Sequence, residues 1–412
     1  MRNWLMGAMA SPFLVALSFG ATAQATPIEG TVISSESRWA YQHSAIVTES
    51  VVEADDGSRI TVPQAGGSTG GIGLRQSHSP PTLRVGDRVF ADAQLVATRS
   101  GRRVHQLREL YSLRRGTSRE KNQDTRDFVR TENSSGKQIF WKSGCVLIST
   151  AAEGSAQISG EAEFRVVDEV LRTWQGDGSS CSDFELISEG PTEEDVGFDG
   201  VNLIKFRENL SCRPATNDDP QECYDEAAAG ITTIFFVDDD GSSRNGEILD
   251  ADIEFNGVQF AIAVDGQTSG TAQCEADFAN TLTHELGHLL GLDHTCWAGG
   301  ERLEDDQGNT VPACTSPTLG SAITEATMYN FQSCGETKKA TLEADDVAAY
   351  CALYPRGEHT TTCEAADITS GGCCSVSSTA ASSPGRGTGL LSLLCLIGLA
   401  FGLRRRTRQN ES

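Results

Sequence analysis

Residues 284–294 read His-Glu-Leu-Gly-His-Leu-Leu-Gly-Leu-Asp-His. Three of the chain's seven histidines fall in this one stretch, beside a carboxylate. His284 and His288 are four residues apart, so on a helix they share one face. Glu285 follows His284 and is placed to reach a water molecule held near those rings. Gly291 can adopt the left-handed conformation that ends a helix, which lets the chain turn back and bring His294 to the same point. A trio of neutral imidazoles is a ligand set for zinc, and three protein ligands leave a fourth position open. The alternative is an amphipathic helix carrying two satisfied core histidines. The extension to a third histidine behind a glycine favours the metal.

The pattern HExxHxxGxxH resembles that of the metzincin zinc endopeptidases. Their second signature, a later methionine turn, has its counterpart in Thr327-Met328-Tyr329, with Met328 lying 34 residues beyond His294. The resemblance implies that Met328 forms an apolar floor beneath the histidines. Thr295 and Tyr329 look most like the matrixin branch, and the residues after Met328 imply no tyrosine ligand. The implied fold is α+β. A metzincin-like catalytic domain would have a twisted, mostly parallel sheet, an active-site helix and a C-terminal helix, and a small all-β domain would precede it. The implied activity is that of a zinc metalloendopeptidase acting on protein or peptide substrates. Glu285 would serve as general base towards water and then as general acid towards the leaving nitrogen. Asp293 matches the matrixin pattern and implies hydrogen bonding near the site.

Working outward, the amino terminus has the parts of a signal peptide over residues 1–25. Arg2 is followed by an apolar run around Phe13 to Phe19 and small residues at Ala21, Ala23 and Ala25. An exported chain can form disulfides. Thirteen cysteines are present, ten of them between Cys145 and Cys363, which allows up to five bridges. Cys212 with Cys223, and Cys296 with Cys314, are plausible local pairs. The net charge of −24 is concentrated in residues 136–356, which hold 40 acidic against 12 basic side chains. Such a surface repels nucleic acid and excludes it as a partner.

Residues 26–112 alternate apolar and polar residues between turn signals, as in Thr31-Val32-Ile33 and Arg88-Val89-Phe90-Ala91. This predicts a small, barrel-like all-β domain of five or six strands, with residues 66–73 as a glycine-rich loop. The domain has no cysteine, so the pro-segment cysteine with which matrixins occupy their zinc is unavailable. His43, His78 and His105 read as surface or turn histidines. Residues 113–135 form a basic linker, where Arg114-Arg115 is either a maturation site or part of a solvated tether.

Over residues 136–356, Phe164, Val167, Leu171 and Trp174 recur at helical spacing, and Ile231 to Val237 reads as a buried strand. Glu247 to Asn256 alternates, and the matrixin likeness implies that it is the edge strand bordering the cleft. The active-site helix is predicted from Asp277 to Leu290 and a last helix from Leu342 to Tyr354. Asp238, Asp240, Asp250 and Asp252 are candidate calcium ligands, set against a plain solvated acidic loop. No histidine occurs between residues 106 and 283, so the second, structural zinc of matrixins is not expected.

Residues 357–389 form a Ser/Thr/Gly-rich linker containing Cys373 and Cys374. Residues 390–412 hold a 14-residue apolar run, Leu390 to Leu403, followed by three arginines. That run is short for a membrane-spanning helix. The order of cysteine, spacer, apolar helix and arginine cluster resembles the MYXO-CTERM sorting tail. It implies a sorting protease as partner, Cys373 or Cys374 as the sorting cysteine, membrane attachment through the tail before processing, and placement at the cell surface or outer membrane, or release. A simple membrane anchor is the alternative. A second overall reading is a surface binding or adhesion protein in which the β domain carries the function and the protease-like domain is secondary.

Overall fold

A computed structural model describes residues 26–79, 82–114, 128–178, 180–298 and 304–358, with Cys363 and Ile368. The signal segment, residues 115–127 of the linker, and the tail with Cys373 and Cys374 lie outside the described residues.

Seven strands come first: β1 (Thr26–Ala40), β2 (Ala45–Ala54), β3 (Arg59–Ala65), β4 (Gly67–Thr69), β5 (Ile72–Gln76), β6 (Arg88–Ala97) and β7 (Arg103–Arg114). Five of them form an antiparallel sheet in the order β3-β2-β1-β6-β7. Its apolar face closes over Ile28, Val32, Val52, Val62, Leu83 and Val89. β4 and β5 leave this sheet. The stretch 66–73, expected to be a loop, instead supplies β4 and the start of β5, a short hairpin that joins the second sheet.

That second sheet follows from β8 (Val129–Arg130), β9 (Cys145–Ala151), α1 (Ala162–Gly178), β10 (Glu185–Thr192), β11 (Asn202–Arg207), the small hairpin β12 (Cys212–Arg213) and β13 (Glu222–Cys223), β14 (Gly230–Val237), β15 (Ile248–Asn256), β16 (Phe260–Ala263), β17 (Cys274–Asp277), α2 (Phe278–Leu289), β18 (Leu292–Asp293), α3 (Ser321–Thr324) and α4 (Ala344–Leu353). The order is β10-β9-β11-β15-β14-β5-β4. β10, β9, β11 and β15 run parallel and β14 returns antiparallel. Every residue of β14 and β15 is buried, as their β-branched and aromatic runs require of strands covered on both faces.

Two expectations are corrected here. β15 is an interior strand held between β11 and β14, so it does not border the cleft. The bordering strand is β14, whose outer side is taken by β5. The end of the basic linker is also not an exposed tether. Val129, Thr131 and Asn133 are buried, β8 pairs with β18, and Asn133 donates to Asp238 and Asn245.

The main core lies between the second sheet and its helices. α1 presents Val166, Val167, Val170, Leu171 and Trp174 inward. The carbonyls at the end of α2, which no intrahelical donor reaches, are met from outside the helix. Trp141 Nε1 donates to Leu289 O at 2.9 Å and the Tyr354 hydroxyl to Leu290 O at 2.6 Å. α4 begins with a capping box between Glu343 and Asp346.

All ten cysteines from Cys145 to Cys363 are paired: Cys145–Cys363, Cys181–Cys351, Cys212–Cys223, Cys274–Cys334 and Cys296–Cys314. Both local pairs expected from spacing are present. Tyr354→Phe keeps the ring but strips Leu290 O of its donor, so it should destabilise the protein by about 1–3 kcal/mol. The check is a lowered urea midpoint at unchanged slope; an unmoved midpoint would show that the bond contributes nothing.

Candidate metal centre

α2 starts where Asp277 Oδ1 accepts the Asn280 amide at 2.8 Å, an N-cap that fixes the phase of the helix. With that phase set, His284, Glu285 and His288 all lie within the core. The helix ends at Leu290, and Gly291 has φ +94°. A Cβ at Gly291 would lie 2.3 Å from Ile139 O, so both backbone angle and space demand glycine. β18 then pairs with β8 and delivers His294 to the other two rings.

The ring nitrogens meet closely. His288 Nε2 lies 3.1 Å and His284 Nε2 3.3 Å from His294 Nε2. On the far side of two rings, His284 Nδ1 lies 2.6 Å from Thr327 O and His288 Nδ1 2.9 Å from Leu292 O. A carbonyl accepts only, so each of those Nδ1 atoms carries the proton and each Nε2 offers a lone pair. Two lone pairs directed at one point, with at most a single N–H from His294 to share, call for a cation. Zinc–nitrogen bonds of about 2.0–2.1 Å in a tetrahedron separate the nitrogens by roughly 3.3 Å. The residues present therefore fit zinc. Burial holds His284 and His294 well below the ordinary imidazole pKa, and His288 below it, keeping all three neutral.

Glu285 is 1 % exposed. Burial opposes its charge, but the neighbouring His78 and the Thr232 hydroxyl outweigh burial and leave its carboxyl below the usual glutamate range. Thr232 Oγ1 donates to Glu285 Oε2 at 2.6 Å. Met328 is buried beneath α2, and a Cβ at Gly287 would come within 2.1 Å of its Sδ. The Met328 turn also supplies Thr327 O to His284, and its Thr327 amide is held by Asp346 Oδ2 at 3.0 Å. Asp293 Oδ1 accepts the His294 amide at 2.8 Å.

A fourth histidine was not anticipated. His78 is a turn residue, as expected, but its ring points inward, with the side chain 15 % exposed. One ligand atom from each of His78, His284, His288 and His294 lies within 4.8 Å of the others. It stands 206 residues before His284 in a stretch without spacing signals, so no motif could have identified it. Ser77 and Arg75 were missed for the same reason, and Thr232 was read only as part of the buried strand Ile231 to Val237. His43 is exposed beside Trp39 and His105 is half-buried in β7; neither joins the group.

The four candidate calcium ligands are not brought together. Asp250 and Asp252 share a face of β15 and each accepts backbone amides, although Asp250 Oδ1 is buried without a hydrogen-bond partner among the described residues. Asp250 Oδ2 accepts from Asp199 and Gly200, both at 2.7 Å, and Asp252 from Gly197 and Leu203. Burial raises both carboxyls, that of Asp250 to about 7. Asp238 and Asp240 lie in the turn after β14, bonded to Asn133 and Asn245. Among the described residues the convergent ligand group is the histidine cluster.

Residues 243–352 match the sequence model of Peptidase_M43, described as pregnancy-associated plasma protein-A. That span runs through β15, α2, the third histidine and the methionine turn, and it supports a metzincin-like zinc protease over this part of the chain. It does not extend to the matrixin likeness or to the tail. No curated protein matches the chain.

Gly287→Ala must displace Met328 from beneath the helix. A loss of about 1–3 kcal/mol is expected, in the metal-stripped protein as well as in the metal-loaded one. An unchanged melting temperature would remove Met328 from the support of the site.

Proposed function

We propose that this chain is an exported zinc-dependent endopeptidase in which His284, His288 and His294 hold the metal and Glu285 handles the proton. The observation that carries the reading is the convergence of three Nε2 atoms, two of them with their other nitrogen tied to a carbonyl, beside a buried carboxylate. The family match over residues 243–352 supports it independently. Five disulfides agree with an oxidising compartment, and the signal-like residues 1–25 supply the route. We take the tail around Cys373 and Cys374 as a sorting signal that leads to surface display.

Zinc bound at the trio would supply Lewis-acid polarisation of water and of the scissile carbonyl. The chain's own residues do the rest. Glu285 takes the proton from the attacking water and returns it to the departing amine, so the leaving group is neutral. Thr232 fixes Glu285 Oε2 and aims the carboxylate. The backbone of β14, on the side that β5 occupies in the full chain, is the element beside Glu285 suited to pair with an extended peptide, which is why a polypeptide suits the cleft better than a compact amide.

Glu285→Gln in the mature secreted protein should retain one zinc per chain yet lose about 10²–10⁴-fold in cleavage of denatured casein. His284→Ala, His288→Ala and His294→Ala should lose zinc and activity together. Full activity in Glu285→Gln, or chelator-resistant cleavage by the wild type, would contradict the assignment.

A further inference from the structure

The segment Ile72–His78 lies where a substrate would lie. β5 runs antiparallel along β14, with Gly73 opposite Phe236, Arg75 opposite Ile234 and Gln76 opposite Thr233. The pairing continues past the strand: Ser77 donates its amide to Thr232 O at 2.8 Å, and the Thr232 amide donates to Ser77 Oγ at 2.8 Å. An exposed edge strand would accept any extended chain; here the protein fills that edge with its own.

Side chains complete the closure at the catalytic end. Ser77 Oγ donates to Glu285 Oε2 at 3.3 Å and His78 Nε2 lies 3.5 Å from Glu285 Oε1. The His78 ring centroid is 4.7 Å from that of His294 and 5.8 Å from those of His284 and His288. Two residues before Ser77, Arg75 Nη2 meets Asp293 Oδ2 at 2.5 Å, next to the third histidine. Ile72 and Leu74 share one apolar cluster with Ile46, Val47, Phe235 and Val237. The contact therefore joins the amino-terminal strands to the protease sheet through buried surface as well as through the site.

We propose that Ile72–His78 is a built-in inhibitor: β5 occupies the substrate edge of β14, and His78 takes the fourth position of the metal. This rests on the metal-site reading above. With an imidazole in the position that water needs, and with Glu285 engaged by both Ser77 and His78, the full chain is latent. Removing the amino-terminal strands uncovers the cleft. The absence of a cysteine before residue 145 is then no obstacle to latency, because a histidine does the task.

The full chain is loaded with cobalt(II) in place of zinc and its visible spectrum followed while acetohydroxamic acid, a small bidentate ligand, is added. His78→Ala and His78→Asn are measured beside it. Asparagine is included because His78 has φ +59°, which that residue tolerates. With the closed state dominant and about 1–10 % open, hydroxamate should bind the wild type about 10–100-fold more weakly than either variant. The variants should also start from an altered cobalt spectrum. Equal hydroxamate affinity in wild type and variants, with identical starting spectra, overturns the inference. So does a wild-type site that binds hydroxamate readily, whatever the variants do. If cobalt binds none of the three proteins, the metal-site reading itself fails, an outcome distinct from the others.

Discussion

Everything in this molecule depends on two lone pairs forced towards a third ring nitrogen. His284 and His288 hold their protons on Nδ1 because Thr327 O and Leu292 O accept there, so their Nε2 atoms reach His294 Nε2 at 3.3 and 3.1 Å as acceptors. Without a cation between them this is an electrostatic conflict inside a dry core. A cation held between them would remove that conflict. The helix cap at Asp277, the glycine at 291 and the turn at Met328 all serve to hold that geometry while no metal yet offsets it.

Support for the site comes from unusually distant parts of the chain. The carbonyls that close α2 are met by Trp141 and Tyr354, 148 and 64 residues away. Asp346 in α4 fixes Thr327, which in turn fixes His284. Cys274–Cys334 ties the strand leading into α2 to the segment after the methionine turn. Long-range closures of this kind are costly in entropy, and a bridge that shortens the loop relieves part of that cost in the unfolded chain. Three long-range bridges and two local ones suit a protein working in an oxidising compartment.

The motif, the helix that bears it, the buried run 231–237, the last helix and two of the disulfides were all legible in the sequence. Each is local: HExxHxxGxxH is eleven residues of helix, cap and return, and Cys212–Cys223 spans a short hairpin. What was not legible is long-range. Alternation in β15 is equally compatible with an edge or a centre, and only the pairing with β11 and β14 decides it. Glycines at 66, 67, 70, 71 and 73 resemble a loop, yet they let a hairpin lie flat on the neighbouring sheet. His78 is one imidazole in a turn, and nothing within ten residues of it announces a partner two hundred positions on. Oxygen-rich runs suggested calcium at Asp238, Asp240, Asp250 and Asp252, but composition does not reveal whether the chain brings those side chains to one point: Asp250 and Asp252 accept backbone amides, whereas Asp238 and Asp240 accept the side-chain amides of Asn133 and Asn245.

The most direct test of the central claim is zinc K-edge X-ray absorption on the full chain. The geometry predicts one bound zinc with a shell of nitrogen neighbours at about 2.0–2.1 Å and the outer-shell scattering of at least three imidazoles. A site that takes up no zinc, or a zinc whose shell is dominated by sulfur at about 2.3 Å, would contradict it.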